Sequence, residues 1–331
     1  MKKPLIIFLI ISTFILFACG CSNHKKEAGE ASSLPQNVIR VQVPVAPPSI
    51  PLVPLAREQN IEVSWYQKTD EALSKIIEDK VDISIIPVNS MAVLYNKGAG
   101  IQLGAVTTWG ILYLMSCDPQ VSEWEDLKGK TVAVGAMGFS PDLVFRTLLA
   151  RHGLKPGEDI NIIYGSSPEV AQMLSAKKIS LAVLPEPLVT SVLAKDREIK
   201  IVMDLEQEWE KAFPQSLGLP QAGLAVSTRF IRENPDGWRQ FYEKYAQSLA
   251  SYVKNPEIIG PEEEKYIHLP AAVIRESLGR SNLKTKSALE ARESVNSYLT
   301  LIHRVSPDAV GGTVPGAETG FYLQQNMDNQ G

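Results

Sequence analysis

Lys178-Ile-Ser-Leu-Ala-Val-Leu-Pro185-Glu186-Pro187-Leu-Val-Thr-Ser-Val-Leu-Ala-Lys195 reads as a short buried strand, a proline-marked crest and an apolar helix. The same phrase stands earlier, as Lys80-Val-Asp-Ile-Ser-Ile-Ile-Pro87-Val88-Asn89-Ser90-Met-Ala-Val-Leu-Tyr-Asn-Lys97. Lys80 and Lys178 keep the same offset as Pro87 and Pro185. The helices before them also align, Thr69 to Lys80 against Ser167 to Lys178. A repeat of this length is a domain-sized unit rather than a solenoid module. The expected fold is therefore α/β, two similar parallel-sheet lobes with a hinge and a cleft between them.

Outward from the repeat, strands are expected at 38–43, 61–65, 81–86, 131–134, 160–164 and 199–203, alternating with helices across short connections. Thr69 is read as a helix cap, Ser140 as the cap of a helix over 143–152, and Ser167-Pro168-Glu169 as the cap of the next. The segments 101–106 and 111–115 are read as the crossover between lobes. Gln221 to Thr228 reads as a strand returning to the first lobe. Asn234-Pro235-Asp236 opens an amphipathic helix with Trp238, Phe241, Tyr245, Leu249 and Tyr252 on its apolar face. Shorter helices are expected near 270–278 and 287–303, and the glycines after Val310 mark a loose end. This places one lobe at 37–113 and 221–331, and the other at 114–220.

A chain of 331 residues suits two domains. The 33 basic residues nearly balance the 37 acidic ones, which excludes the basic footprint of a nucleic-acid binder. The N-terminus has the form of a leader: Met1-Lys2-Lys3, then an apolar run over 5–17, too short for a comfortable membrane span. Leu16-Phe17-Ala18-Cys19 resembles the bacterial lipobox, which implies cleavage after residue 18 and lipidation of Cys19. The alternative is an ordinary signal peptide with an incidental cysteine. Residues 19–36, with their Lys, Gly, Ser and Pro, have the composition of a flexible tether.

In open α/β sheets ligands lie beyond the carboxyl ends of the strands. Four crests are candidates: Pro47-Pro48-Ser49, Pro87-Val88-Asn89-Ser90, Gly138-Phe139-Ser140 and Pro185-Glu186-Pro187, with Thr108-Trp109 at the cleft floor. Each also has a plain structural reading. Gly138 to Ser140 is either a tight turn or a helix end that greets an anion. Asn89 is either a turn residue or a ligand hydrogen-bonder. Trp109 and Phe139 are either core filler or a stacking surface. Glu186 between two prolines is expected to meet a donor in the cleft, because a glutamate is rarely buried unpaired. No Arg or Lys occupies the four crests, so a strongly anionic ligand would depend on backbone N–H groups.

Catalytic and metal constellations are weak. The histidines 24, 152, 268 and 303 are scattered, and Ser-x-x-Lys recurs at Ser22, Ser175, Ser251 and Ser281 without the companions that give it meaning. No enzyme, cofactor or metal is expected.

The lipobox, Glu125-Asp126-Leu127-Lys128-Gly129-Lys130-Thr131-Val132, the Gly-x-x-Gly-x-Ser-Pro-Asp turn over 135–142 and Leu184-Pro185-Glu186-Pro187 together resemble ABC-transporter substrate-binding lipoproteins. The nearest branch groups binders of sulfonates, nitrate and thiamine-precursor pyrimidines, and the likeness covers nearly the whole mature chain. It implies a type II periplasmic-binding-protein fold closing by a hinge over a small molecule. It also implies delivery to ABC permease transmembrane subunits, a lipid anchor on the extracytoplasmic face of the membrane, and a monomer. The crests suggest a flat heterocyclic or aromatic ligand with N–H donors toward Glu186; an aromatic carboxylate at Ser140 is the competitor. The alternatives from other classes are a dehydratase-like enzyme of the same fold and a ligand-sensing lipoprotein.

Overall fold

The alternating strands and helices fold into two sheets in the computed structural model, which describes residues 38–135 and 137–324. The leader, the tether and Cys19 lie outside the described residues. The strands in chain order are β1 (Ile39–Pro44), β2 (Ile61–Tyr66), β3 (Ile83–Pro87), β4 (Ile101–Trp109), β5 (Leu112–Ser116), β6 (Thr131–Gly135), β7 (Asn161–Gly165), β8 (Leu181–Pro185), β9 (Lys200–Asp204), β10 (Pro220–Ser227) and β11 (Leu283–Ser287). The helices are α1 (Leu52–Leu55), α2 (Thr69–Ile77), α3 (Val88–Asn96), α4 (Ser140–Arg151), α5 (Ser167–Ser175), α6 (Leu188–Lys195), α7 (Leu205–Ala212), α8 (Thr228–Glu233), α9 (Pro235–Lys254), α10 (Pro261–Ile267), α11 (Ala271–Leu278) and α12 (Ala288–Val305).

One sheet has the order β11-β4-β10-β3-β1-β2 and the other β7-β6-β8-β5-β9. Read from the β4 and β9 ends, the orders β4-β10-β3-β1-β2 and β9-β5-β8-β6-β7 correspond strand for strand, so the sequence repeat is a repeat of topology. Each sheet is parallel where its strands belong to one βαβ run: β1 with β2 and β3, β6 with β7 and β8. The strand that arrives from the other sheet pairs antiparallel, β10 between β3 and β4, and β5 between β8 and β9. Strand β5 belongs whole to the second sheet, and β11 is an extra edge strand on the first.

Local sequence explains most element ends, with three differences from expectation. Thr69 is the first residue of α2 rather than its cap, and Lys68 before it makes no capping bond. The cap of α5 is Ser166, not Ser167; it exchanges bonds with Glu169 as a capping box. Ser140 begins α4 instead of capping it, because its hydroxyl is engaged by Gln221 across the molecule. Asp142 in the first turn accepts the Gly138 N–H at 2.9 Å and so fastens the turn that precedes the helix. Asn234 caps α9 and Ser287 caps α12, with Ser287 and Glu290 forming another capping box.

The segment after α12 is not loose. Asn96 donates to the Val310 and Thr313 carbonyls, and Leu103 exchanges backbone bonds with Phe321 and Leu323. Phe321 and Tyr322 are buried, which ties this return to β4.

Helix α9 buries Trp238, Phe241, Tyr245, Leu249 and Tyr252, the five residues its periodicity selects. Trp238 lies on Gly104 of β4, where an added Cβ would stand 2.6 Å from the indole. The missing side chain is therefore a packing requirement of the large one. Trp238→Ala should cost about 3–5 kcal/mol in denaturant unfolding, as for other buried aromatic truncations. Gly104→Val should also destabilise, by overpacking; a midpoint unchanged in both variants would show that this contact carries no stability.

Candidate functional site

Strand direction brings the candidate crests to one pair of edges. The carboxyl ends of β1, β3 and β4 share an edge with the amino end of β10, because β10 runs antiparallel to β3 and β4. In the second sheet the carboxyl ends of β6, β8 and β9 share an edge with the amino end of β5. The chain crosses between these edges at Gly110–Ile111 and again at Leu217–Leu219. Gly110 (φ +61°) and Gly218 (φ +103°) supply the left-handed backbone that the crossings require.

Across the junction, Gln221 accepts the Ile111 N–H at 2.6 Å and donates to the Ser140 hydroxyl at 2.7 Å. Tyr298 of α12 is packed beside Ser140, and burial pushes its phenol up to about 12. The Gly110 N–H donates to the Leu219 carbonyl at 3.0 Å, joining the two crossings directly.

The strongest contact centres on Glu186. Its carboxylate accepts from the Thr190 N–H (3.1 Å), the Thr190 hydroxyl (3.0 Å) and Arg280 Nε (2.5 Å). Arg280 comes from just beyond α11, 94 residues away in sequence. It also donates from Nη2 to Thr190, and its carbonyl accepts from the Tyr113 hydroxyl at 2.8 Å. Burial pushes the Glu186 carboxyl above the usual range, and Arg280 with the Thr190 bonds oppose that shift. The guanidinium is itself held more firmly protonated, Glu186 outweighing the desolvation that opposes it.

Not every candidate residue reaches this junction. Ser140 and Glu186 do, and Phe139, half-buried, and Gly138, exposed, stand beside Ser140 at the crest. Trp109 and Thr108 are fully buried at the end of β4. The Trp109 ring is not an open stacking surface: its Nε1 donates to the Lys284 carbonyl, and the Lys284 and Lys286 ammoniums lie 5.1 and 4.8 Å from ring centroids. Ser49 is buried and donates to the Pro44 carbonyl, while the Pro48 carbonyl accepts from Tyr245 at 2.8 Å. Asn89 is turned toward the C-terminal return, donating to the Ala309 carbonyl at 3.2 Å; Ser90 beside it is buried. Pro48 and Ser49 are thus engaged in local hydrogen bonds, while the Asn89 Oδ1 is buried without a hydrogen-bond partner.

Arg280, Gln221, Tyr113, Asn282 and Glu206 were missed in the sequence. Arg280 corrects the expectation that no cation stands at the crests. It follows a helix whose end is legible, but nothing in its neighbours indicates a partner in the other lobe. Among the described residues, no group of three or more His, Cys, Asp and Glu could hold a metal ion.

This architecture is the type II periplasmic-binding-protein fold, the class of the substrate-binding proteins of ABC transporters. Residues 56–257 match the model of the NMT1-like family, more than half of the chain, and the protein belongs to that family. It is similar to a solved ABC transporter protein of Parabacteroides distasonis, with 26% identity and TM-score 0.75, covering 88% of this chain and 100% of that one. The fold is shared with the periplasmic aliphatic sulphonate binding protein SsuA of Escherichia coli (14% identity, TM-score 0.69, 88% of this chain, 93% of that). It is also shared with the alkanesulfonate-binding protein SsuA of Xanthomonas axonopodis pv. citri bound to MOPS (15%, 0.63, 86% and 96%). No curated protein matches the chain.

Breaking the Glu186–Arg280 pair from one side leaves a buried carboxylate without its cation. Arg280→Met should lose on the order of 3 kcal/mol near neutral pH, as for other half-removed buried pairs. The sign with pH follows from the carboxyl's raised pKa: protonation removes the buried charge, so the loss should shrink as pH falls. Chemical denaturation at neutral and acid pH reads this directly, and an equal loss at both would place the cost elsewhere.

Proposed function

We propose that the protein is the extracytoplasmic solute-binding component of an ABC importer. It captures a small molecule between two lobes, each built on one of the sheets, and passes it to the transmembrane subunits. A lipid on Cys19 and the tether over 19–36 would hold it at the membrane as a monomer. The observation that carries this reading is the meeting of two strand-end edges across two glycine crossings, with polar contacts made between the edges at Ser140, Gln221, Glu186 and Arg280. Such an arrangement suits closure around a ligand rather than covalent chemistry.

For the ligand, a flat heterocyclic or aromatic molecule is supported by half-buried Phe139 beside exposed Met137 at the second-lobe crest. Its N–H donors would compete with Arg280 for the Glu186 carboxylate. A second reading, a ligand with an anionic group, is favoured by Arg280 itself, a permanent and partly exposed cation at this crest.

Native mass spectrometry of the gently purified protein, repeated after denaturation and refolding, tests the function. A small molecule that is present first and lost on refolding supports it and supplies the ligand's mass. A thermal-shift panel of pyrimidines, aromatic acids and sulfonates then separates the two chemistries, because a bound ligand raises stability. An aminopyrimidine should lose more than about tenfold in affinity in Glu186→Gln, the loss of a charged hydrogen-bond acceptor. A sulfonate should lose affinity in Arg280→Gln instead. A protein that retains nothing and responds to nothing would favour the sensor or enzyme readings.

A further inference from the structure

We propose that the end of the second sheet where β6 and β8 begin carries a docking groove for an acidic, extended peptide segment of a protein partner. Ser140 and Glu186 follow the other ends of these strands, so the groove is separate from the junction of the sheets. The inference does not depend on what is bound at that junction.

The duplicated strands differ at this end. In the first sheet Gln42 pairs with Ser84, and in the second Ala133 pairs with Ala182. The Ser227 N–H donates to the Asp82 carbonyl, as the Cys117 N–H does to that of Ser180. Arg40, Asp82 and Arg229 of the first sheet's edge therefore correspond to Thr131, Ser180 and Pro119 of the second. In the first sheet these positions form a closed charge network. The buried Asp82 carboxylate accepts from the Arg40 backbone N–H, Nε and Nη2 and from Arg229 Nη2, all at 2.7–3.0 Å. Arg229 also pairs with Asp79 and Glu233.

In the second sheet the corresponding side chains are short and uncharged, and the space stays open as a groove of about 580 Å³. Lys128, Lys130 and Lys178 line it, with the half-buried Ile163 and Ile179 between them. The acid among the lining residues, Asp118, is already held by Lys130 at 2.7 Å. Lys128 and Lys178 are exposed and make no ion pair among the described residues.

Where the first sheet carries its own carboxylate, the second offers cations to an external one. The groove is far larger than one inorganic ion fills. Its ammoniums are point charges that take carboxylates without a fixed geometry, and its isoleucines gain by covering an apolar side chain. Both features together suit a chain in which acidic residues flank an apolar one. A phosphate polymer would leave the isoleucines uncovered, and a flat bilayer surface does not enter a groove.

The test is fluorescence anisotropy of a labelled Asp-Glu-Leu-Glu-Asp peptide titrated with the full chain. Binding should saturate and weaken as added salt screens the charges. Lys128→Met and Lys178→Met should each lower affinity by up to about fivefold, as for exposed ion pairs, and the double variant by the product. Ser180→Asp places in the groove the carboxylate that Asp82 supplies in the first sheet, and should abolish binding. Lys155→Met removes a lysine that pairs with Glu158 outside the groove, and should change nothing. A peptide with Ser in place of Leu should bind more weakly, because the isoleucines then gain no apolar cover. Absence of binding by the leucine peptide, or binding indifferent to Lys128 and Lys178, overturns the proposal. So does equal or tighter binding of inorganic tripolyphosphate or phosphatidylglycerol vesicles through the same lysines, since the groove would then read phosphate alone.

Discussion

The two chain crossings at Gly110 and Leu217–Gly218 set the terms for the rest of the molecule. Because β5 enters the second sheet directly from β4, and β10 enters the first after β9 and α7, each sheet contains one strand delivered from the other. Both crossings leave and arrive at strand ends on the same edge. The edges that carry the crests are therefore forced together, whatever residues line them. Positive φ at Gly110 and Gly218 makes the turns possible, and the close approach of Glu206 leaves no room for a side chain at Gly110.

Held together in this way, the edges meet through polar contacts as well as apolar packing. Gln221 bridges Ile111 and Ser140; Arg280 bridges Glu186, Thr190 and, through its carbonyl, Tyr113. Hydrogen bonds and ion pairs exchange readily for water or ligand, at a net value of about 1 kcal/mol each in typical cases. Apolar packing also runs between the sheets: one continuous core takes in Trp238, Phe241 and Tyr245 with Val132, Phe145 and Trp209, and the Trp209 and Tyr298 ring centroids lie 5.8 Å apart.

Much of this was legible in the sequence, for reasons that are local. The repeat of Lys80–Lys97 in Lys178–Lys195 declared two like units, because a strand, a proline crest and a helix are each specified by neighbouring residues. The face of α9 followed from helical periodicity, and its opening at Asn234-Pro235-Asp236 from short-range signals. Where local signals failed, a distant partner had intervened. Ser140 looked like a cap but is drawn off by Gln221, and the glycine-rich tail looked loose but pairs with Leu103.

The sequence by itself determined the α/β alternation, the duplication and the strand ends at which the crests lie. All of these depend on residues within one or two helical turns of each other. Only the tertiary structure decided that Arg280 answers Glu186, that Trp109 is enclosed beneath Lys284 and Lys286, and that Asn89 serves the C-terminal return. These pairings join residues far apart along the chain, and their strength depends on burial and direction. No property of a residue's sequence neighbours encodes either quantity; they exist only once both sheets are in place.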